Sequence, residues 1–206
     1  MIYLLELIGV AFFAVSGVAA SRAKRPDVVG AFILAFATAL GGGVIRDAIL
    51  GVPARSFRDA NYLVAIVLGG LVALRLPGVI QRLGSTLPVA DAFGLGLFNA
   101  SGMVKALESG TVDPVFAVVL GAITGTGGGI FRDVLCGEMP ALLRPGELYV
   151  TTCLAGGVVG LAAFWLGASL SAVMGITAAV TIVFRLAAIR YEWRLPAVQW
   201  DGGGGD

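Results

Sequence analysis

One seven-residue string occurs twice in this chain. Gly41-Gly42-Gly43-Val44-Ile45-Arg46-Asp47 returns 86 positions later as Gly127-Gly128-Gly129-Ile130-Phe131-Arg132-Asp133. Both copies lie inside apolar stretches. Three successive glycines weaken a helix, each by about 1 kcal/mol relative to alanine, and an Arg-Asp pair is costly at membrane depth. A locally unfavourable string that is repeated marks a site. It predicts a pair of helix breaks lining a passage through a membrane.

The membrane follows from composition. The chain is 58% hydrophobic and 13% charged, with a mean hydropathy of +0.94. Soluble domains are about 45–50% apolar and about 25% charged. The net charge of +1 says nothing about partners, and with no Lys/Arg run long enough to suggest it, no nucleic acid is expected. There is no histidine, so most metal sites and the commonest general base are missing. Cys136 and Cys153 read as small buried apolar side chains. No nucleophile–base constellation points to an enzyme, and no cofactor is expected. Gly125-Thr126-Gly127-Gly128-Gly129 lacks the Lys-Ser/Thr of a phosphate loop and follows no strand.

A spanning helix needs about 20 mostly apolar residues. Seven segments qualify as spans: 2–20, 28–50, 62–76, 87–104, 114–135, 148–166 and 170–189. The first carries Glu6 and no positive leading region, which argues against a signal peptide. The second and fifth are predicted to break at Gly41–Gly43 and Gly127–Gly129. With the amino terminus outside, ten of the 14 basic residues fall on the cytoplasmic side. Only Arg46, Arg55, Arg58 and Lys105 fall outside, a positive-inside bias that also puts the carboxyl terminus in the cytoplasm.

The repeat extends beyond the motif. Ser16-Gly17 aligns with Ser101-Gly102, Gly51 with Gly137, Pro53 with Pro140, and Tyr62 with Tyr149, after shifts of one residue or so. The chain therefore reads as one all-α transmembrane domain over 1–200. It holds repeat one at about 1–76, repeat two at about 87–167, a seventh helix at 170–190, and a disordered tail at 201–206. Three helices per repeat put the second copy into the membrane inverted, the architecture of many transport proteins.

Freed carbonyls at a glycine break suit a cation, whereas half-helix amino termini suit an anion or carboxylate; the sequence does not say which faces the passage. Glycines also serve simply to let helices approach, and most of the 31 have that reading. Ser16 and Ser101, and likewise Thr38 and Thr124, occupy matched positions and are candidates to line the path. They are equally able to bond their own helix backbone. Adjacent residues on a helix do not face each other, so Arg46 and Asp47 are expected to find partners elsewhere: their counterparts Arg132 and Asp133, or Asp91, Lys105 or Arg185. These charged groups either fix helix ends as structural ion pairs or shape the two mouths of the passage. Asp91 is either an ion-attracting carboxylate or an arginine's partner. Lys105 either snorkels to the surface or projects into the outer mouth.

The doubled Gly-Gly-Gly-x-x-Arg-Asp motif on seven helices resembles the prokaryotic branch of the trimeric intracellular cation (TRIC) channel family, over about residues 4–190. The resemblance implies a homotrimer with one ion pathway per protomer. It also implies second and fifth helices kinked at the glycine triplets, and passage of potassium and sodium. No metal beyond these transient ions is implied, and membrane lipid is the surrounding partner. Some bacterial relatives are associated with glycine uptake, which keeps a carrier of glycine or a similar zwitterion as the alternative. The lysine-rich tail and lysine–glutamate–valine motif of animal members are not evident here. The expectation is thus a passive monovalent cation channel in the cell membrane. Gly41–Gly43, Gly127–Gly129, Thr38, Thr124, Ser16 and Ser101 would line its pathway. Arg46, Asp47, Arg132, Asp133, Asp91 and Lys105 would stand at its mouths.

Overall fold

The computed structural model describes residues 2–75 and 86–196, and these hold seven α-helices. They are α1 (Ile2–Ser21), α2 (Val28–Ile49), α3 (Ala60–Arg75), α4 (Thr86–Ser109), α5 (Pro114–Leu135), α6 (Val150–Trp165) and α7 (Leu170–Arg190). The expected tail at 201–206 lies outside the described residues.

Local chemistry sets the helix ends. Asp27 caps α2 by accepting from the Gly30 amide at 2.7 Å, and Asp113 caps α5 by accepting from Val115 at 2.8 Å, with Pro114 at the first helical position. At the other end of these two helices, Gly51 and Gly137 take the left-handed conformation, at φ +66° and +67°. There the Val52 and Glu138 amides reach back to the Asp47 and Asp133 carbonyls at 3.0 and 2.9 Å. This Schellman closure needs a residue without a Cβ penalty.

Five helices are long and apolar enough to cross a membrane: α1, α2, α4, α5 and α7. The third member of each repeat is shorter, α3 and α6 having 16 residues apiece. The exterior is apolar, and the apolar interior also holds charged groups. Leu63, Val64, Leu68, Phe116, Val158 and Val183 are exposed, while Glu6, Arg46, Asp47, Asp91, Arg132 and Asp133 are buried. An apolar exterior around a charged interior is what lipid as a solvent selects.

Helix α1 packs on α2, α3 and α4; α4 packs on α1, α5 and α7; α2 packs on α5. The glycine contacts reveal a two-fold relation between the halves. An ideal Cβ on Gly9 would stand 3.0 Å from the ring of Phe98, and one on Gly94 would overlap the ring of Phe13. Gly70 abuts Phe32 within the first repeat, and Gly157 abuts Val118 at the equivalent place in the second. Between α2 and α5, Gly42 faces the Thr124 carbonyl and Gly128 faces the Thr38 carbonyl. The pairs 42–124 and 38–128 run in opposite directions, so α2 and α5 cross antiparallel. Helix α7 stands outside the repeat and seals α4 and α6.

One expectation is corrected. The second and fifth helices are not broken: both remain α-helical through Gly41–Gly43 and Gly127–Gly129. A break would free backbone groups that need partners away from water. The triplets instead supply the absence of side chains. A Cβ on Gly42 would overlap the Thr124 carbonyl oxygen, one on Gly128 the Thr38 carbonyl oxygen, and one on Gly127 would lie 2.8 Å from the Gly42 Cα. The helix crossing closes only because these positions are bare.

Candidate functional site: two buried arginine clusters

Each Arg-Asp pair lies at the carboxyl end of its helix, a turn beyond the crossing. Because α2 and α5 are antiparallel, the two pairs sit on opposite sides of it. Two polar clusters result, related by the same two-fold.

In the first cluster, Arg46 is 2% exposed. Its Nε donates to Asp47 Oδ1 at 2.8 Å, and its Nη1 donates to Glu6 Oε1 and to Ser101 Oγ, both at 2.9 Å. Lys105 Nζ adds a third cationic contact, to Asp47 Oδ1 at 2.7 Å. The other Asp47 oxygen accepts the Arg55 amide at 3.2 Å, tying down the loop that follows α2.

The second cluster repeats the plan. Arg132 Nε donates to Asp133 Oδ1 at 2.8 Å and Nη1 donates to Ser16 Oγ at 2.7 Å; Nη1 also meets Asp91 in a short ion pair. Tyr149 donates its hydroxyl to Asp91 Oδ1 at 3.2 Å. Asp133 Oδ2 accepts the Ala141 amide at 2.8 Å, which fixes the loop after α5. Arg144 approaches the same oxygen at 3.8 Å.

The first cluster sets Arg46 and Lys105 against Glu6 and Asp47, and the second sets Arg132 against Asp91 and Asp133, each charge hydrogen-bonded to an opposite one. Only such a network keeps charges tolerable away from water. Each arginine takes its carboxylates from its own repeat and its serine from the other. The clusters are not identical: Lys105 aligns with Ala20 in the first repeat, so the lysine has no counterpart at the second cluster.

The structure brings together most of the residues singled out from the sequence. Asp91 is an arginine's partner, and Lys105 pairs with Asp47, its side chain 29% exposed. The expectation that neighbouring Arg and Asp cannot meet is corrected. Their Cβ atoms diverge, yet the long arginine chain folds back along the helix and reaches the next carboxylate. Arg185 joins neither cluster; it pairs with Glu147 at 3.0 Å and stacks over Tyr149. Thr38 and Thr124 are fully buried at the crossing, and each donates to the carbonyl four residues earlier, Leu34 and Leu120, at 2.6 Å. Cys136 and Cys153 are buried free thiols.

Two members were missed by sequence reasoning. Glu6 served there only as an argument against a signal peptide, and Tyr149 only as an alignment mark. A signal existed for Glu6, a lone acid in an apolar helix that stands 85 positions before Asp91.

Two three-helix repeats in opposite orientation, with a charged cluster on each side of their crossing, define a multi-pass membrane protein of the architecture found in transport proteins. Comparison with known proteins gives the family. The family model described as "Glycine transporter" matches residues 3–77 and 88–165. The UPF0126 inner membrane protein YadS of Escherichia coli (strain K12) is 39% identical over 209 residues, covering 99% of each chain. A solved TRIC cation channel superposes with a TM-score of 0.84 at 31% identity, over 97% of this chain and 98% of that one. The TRIC orthologue from Rhodobacter sphaeroides superposes with a TM-score of 0.82 at 32% identity, over 93% and 98%. The chain belongs to the UPF0126 membrane-protein family, the prokaryotic TRIC-like proteins.

Proposed function

We propose that the protein is a passive channel for monovalent cations, potassium and sodium, with a pathway inside each protomer of a homotrimer. The observation that carries this reading is the near full-length likeness to solved TRIC cation channels at 31–32% identity. The pathway runs between the two arginine clusters, through the interface of α1, α2, α4 and α5. Ser16, Ser101, Thr38 and Thr124 and the bare helix faces at Gly41–Gly43 and Gly127–Gly129 line it. Arg46 with Asp47, and Arg132 with Asp133 and Asp91, form its two gates, with Lys105 at the first. The amino terminus faces outward, which sets the Arg46 gate at the outer side and the Arg132 gate at the cytoplasmic side.

The conformation described is the closed one. Each arginine is locked onto two carboxylates and a serine of the opposite repeat, and the bare glycines let the helices meet between the gates. Opening requires an arginine to leave its serine and α2 and α5 to part. An arginine swung aside would expose carboxylates to the path, which favours cations over anions.

A carrier of glycine or a similar zwitterion is the second reading, supported by the description of the matching family model. Proteoliposomes separate the two. A channel gives fast potassium efflux that does not saturate and is unaffected by glycine. Saturable glycine uptake with no potassium flux contradicts the channel reading.

A further inference from the structure

A cavity of about 370 Å³ with several charged residues in its lining opens beside the second cluster, between the loop that precedes α6 and the end of α7. Its charged lining is Arg144, Glu147, Arg185, Glu192 and Arg194, with Trp193 as an aromatic wall. The backbone that follows α7 closes it: Glu147 and Arg194 form an isolated antiparallel bridge, and the Leu195 amide donates to the Gly146 carbonyl at 3.0 Å. Arg185 on α7, and Glu192, Trp193 and Arg194 after it, lie outside the repeat.

Three guanidinium groups face two carboxylates here, leaving the cavity with an excess positive charge. Arg185 is 7% exposed and underused. Its Nη2 meets Glu147 and its Nη1 donates to the Leu148 carbonyl at 3.2 Å, but its Nε is buried with no partner. A buried donor left unpaired is costly. Arg144 donates its Nε to the Met139 carbonyl at 2.9 Å, but its terminal nitrogens lie 3.6 Å from Glu147 and 3.8 Å from Asp133, both beyond hydrogen-bonding distance. Forked guanidinium groups with spare donors match planar or tetrahedral oxyanions, and the volume suits a small ligand.

We propose that this cavity is a binding site for a small oxyanion, a phosphate or a carboxylate, held by Arg144, Arg185 and Arg194 in competition with Glu147. The site adjoins the Arg132 cluster by two routes. Arg185 stacks at 5.0 Å on the ring of Tyr149, whose hydroxyl holds Asp91, and Arg144 leans on Asp133. The binding claim does not rest on the channel reading.

Trp193 provides the probe. In full-length protein carrying Trp165→Phe and Trp200→Phe, inorganic phosphate is titrated against potassium chloride at matched ionic strength. The expected result is a saturable change in Trp193 emission with phosphate alone. Binding weakens about tenfold in Arg185→Gln and in Arg144→Gln, each of which removes one charge-assisted pair, and tightens in Glu147→Gln. The Arg144 side chain is 41% exposed, so its variant folds even if the Arg185 variant does not. A response in phosphatidylglycerol nanodiscs but not to free phosphate supports the site and assigns it to a lipid headgroup. No saturable response to phosphate, acetate or phosphatidylglycerol, or a response unchanged by Arg144→Gln, overturns the proposal.

Discussion

Ser101 on α4 accepts a hydrogen bond at 2.9 Å from Arg46, an arginine of the other repeat. The same exchange in reverse joins Arg132 to Ser16 at 2.7 Å. These serines are the only contacts in each arginine's hydrogen-bond set that cross between repeats. If opening requires the halves to part, they are the first bonds to yield. Ser101→Ala and Ser16→Ala are each expected to raise the open probability of single channels and leave unitary conductance little changed. The cost in stability is about 1 kcal/mol per lost bond, somewhat more because the arginine is charged. Recordings of each variant beside the wild type check this.

The glycine triplets are expected to be unequal under substitution. At Gly42 and Gly128 even a methyl group meets a backbone carbonyl, whereas a Cβ on Gly43 would lie 3.5 Å from the Phe98 ring, an ordinary contact. Gly42→Ala and Gly128→Ala should each lower stability by about 1–3 kcal/mol through overpacking, while Gly43→Ala should be nearly neutral. Thermal unfolding in detergent distinguishes the three. Equal effects at all three positions would contradict the close crossing.

Asp91→Asn tests the second cluster. Arg132 would keep Asp133 and Ser16 but lose one of its two carboxylates, a loss bounded above by the about 3–5 kcal/mol of a buried charge stripped of its partner. The matching change at the first cluster, Glu6→Gln, should cost less, because Glu6 holds Arg46 alone whereas Asp91 holds both Arg132 and Tyr149. By contrast, Lys24→Gln removes only an exposed ion pair with Glu138, which solvent screens. Melting temperatures should fall in the order Asp91→Asn, Glu6→Gln, Lys24→Gln, from the largest decrease to the smallest.

Much of this was legible before the structure. Apolar runs placed all seven helices, with α5 falling at the residues expected, because lipid imposes length and hydropathy together. The doubled motif exposed the inverted repeat, and Asp91 stood out as a buried-depth carboxylate. The role of the triplets was harder to read. Glycine weakens a helix and also permits close approach, and which effect wins depends on what lies opposite. The Thr38 and Thr124 carbonyls lie opposite, and they come from the other repeat. Adjacent Arg46 and Asp47 misled for a related reason: Cβ spacing governs short side chains, whereas arginine has the length to fold back. Tyr149 carried no signal, since a tyrosine near a helix start suits an interfacial position as well as a buried one.

The most direct measurement is the reversal potential of the purified protein in a planar bilayer under a potassium chloride gradient. A cation channel gives single-channel currents reversing close to the potassium equilibrium potential, and replacing potassium by sodium on one side moves that potential only slightly. Reversal at the chloride equilibrium potential, or no current from protein that is folded and inserted, would contradict a cation pathway between the Arg46 and Arg132 clusters.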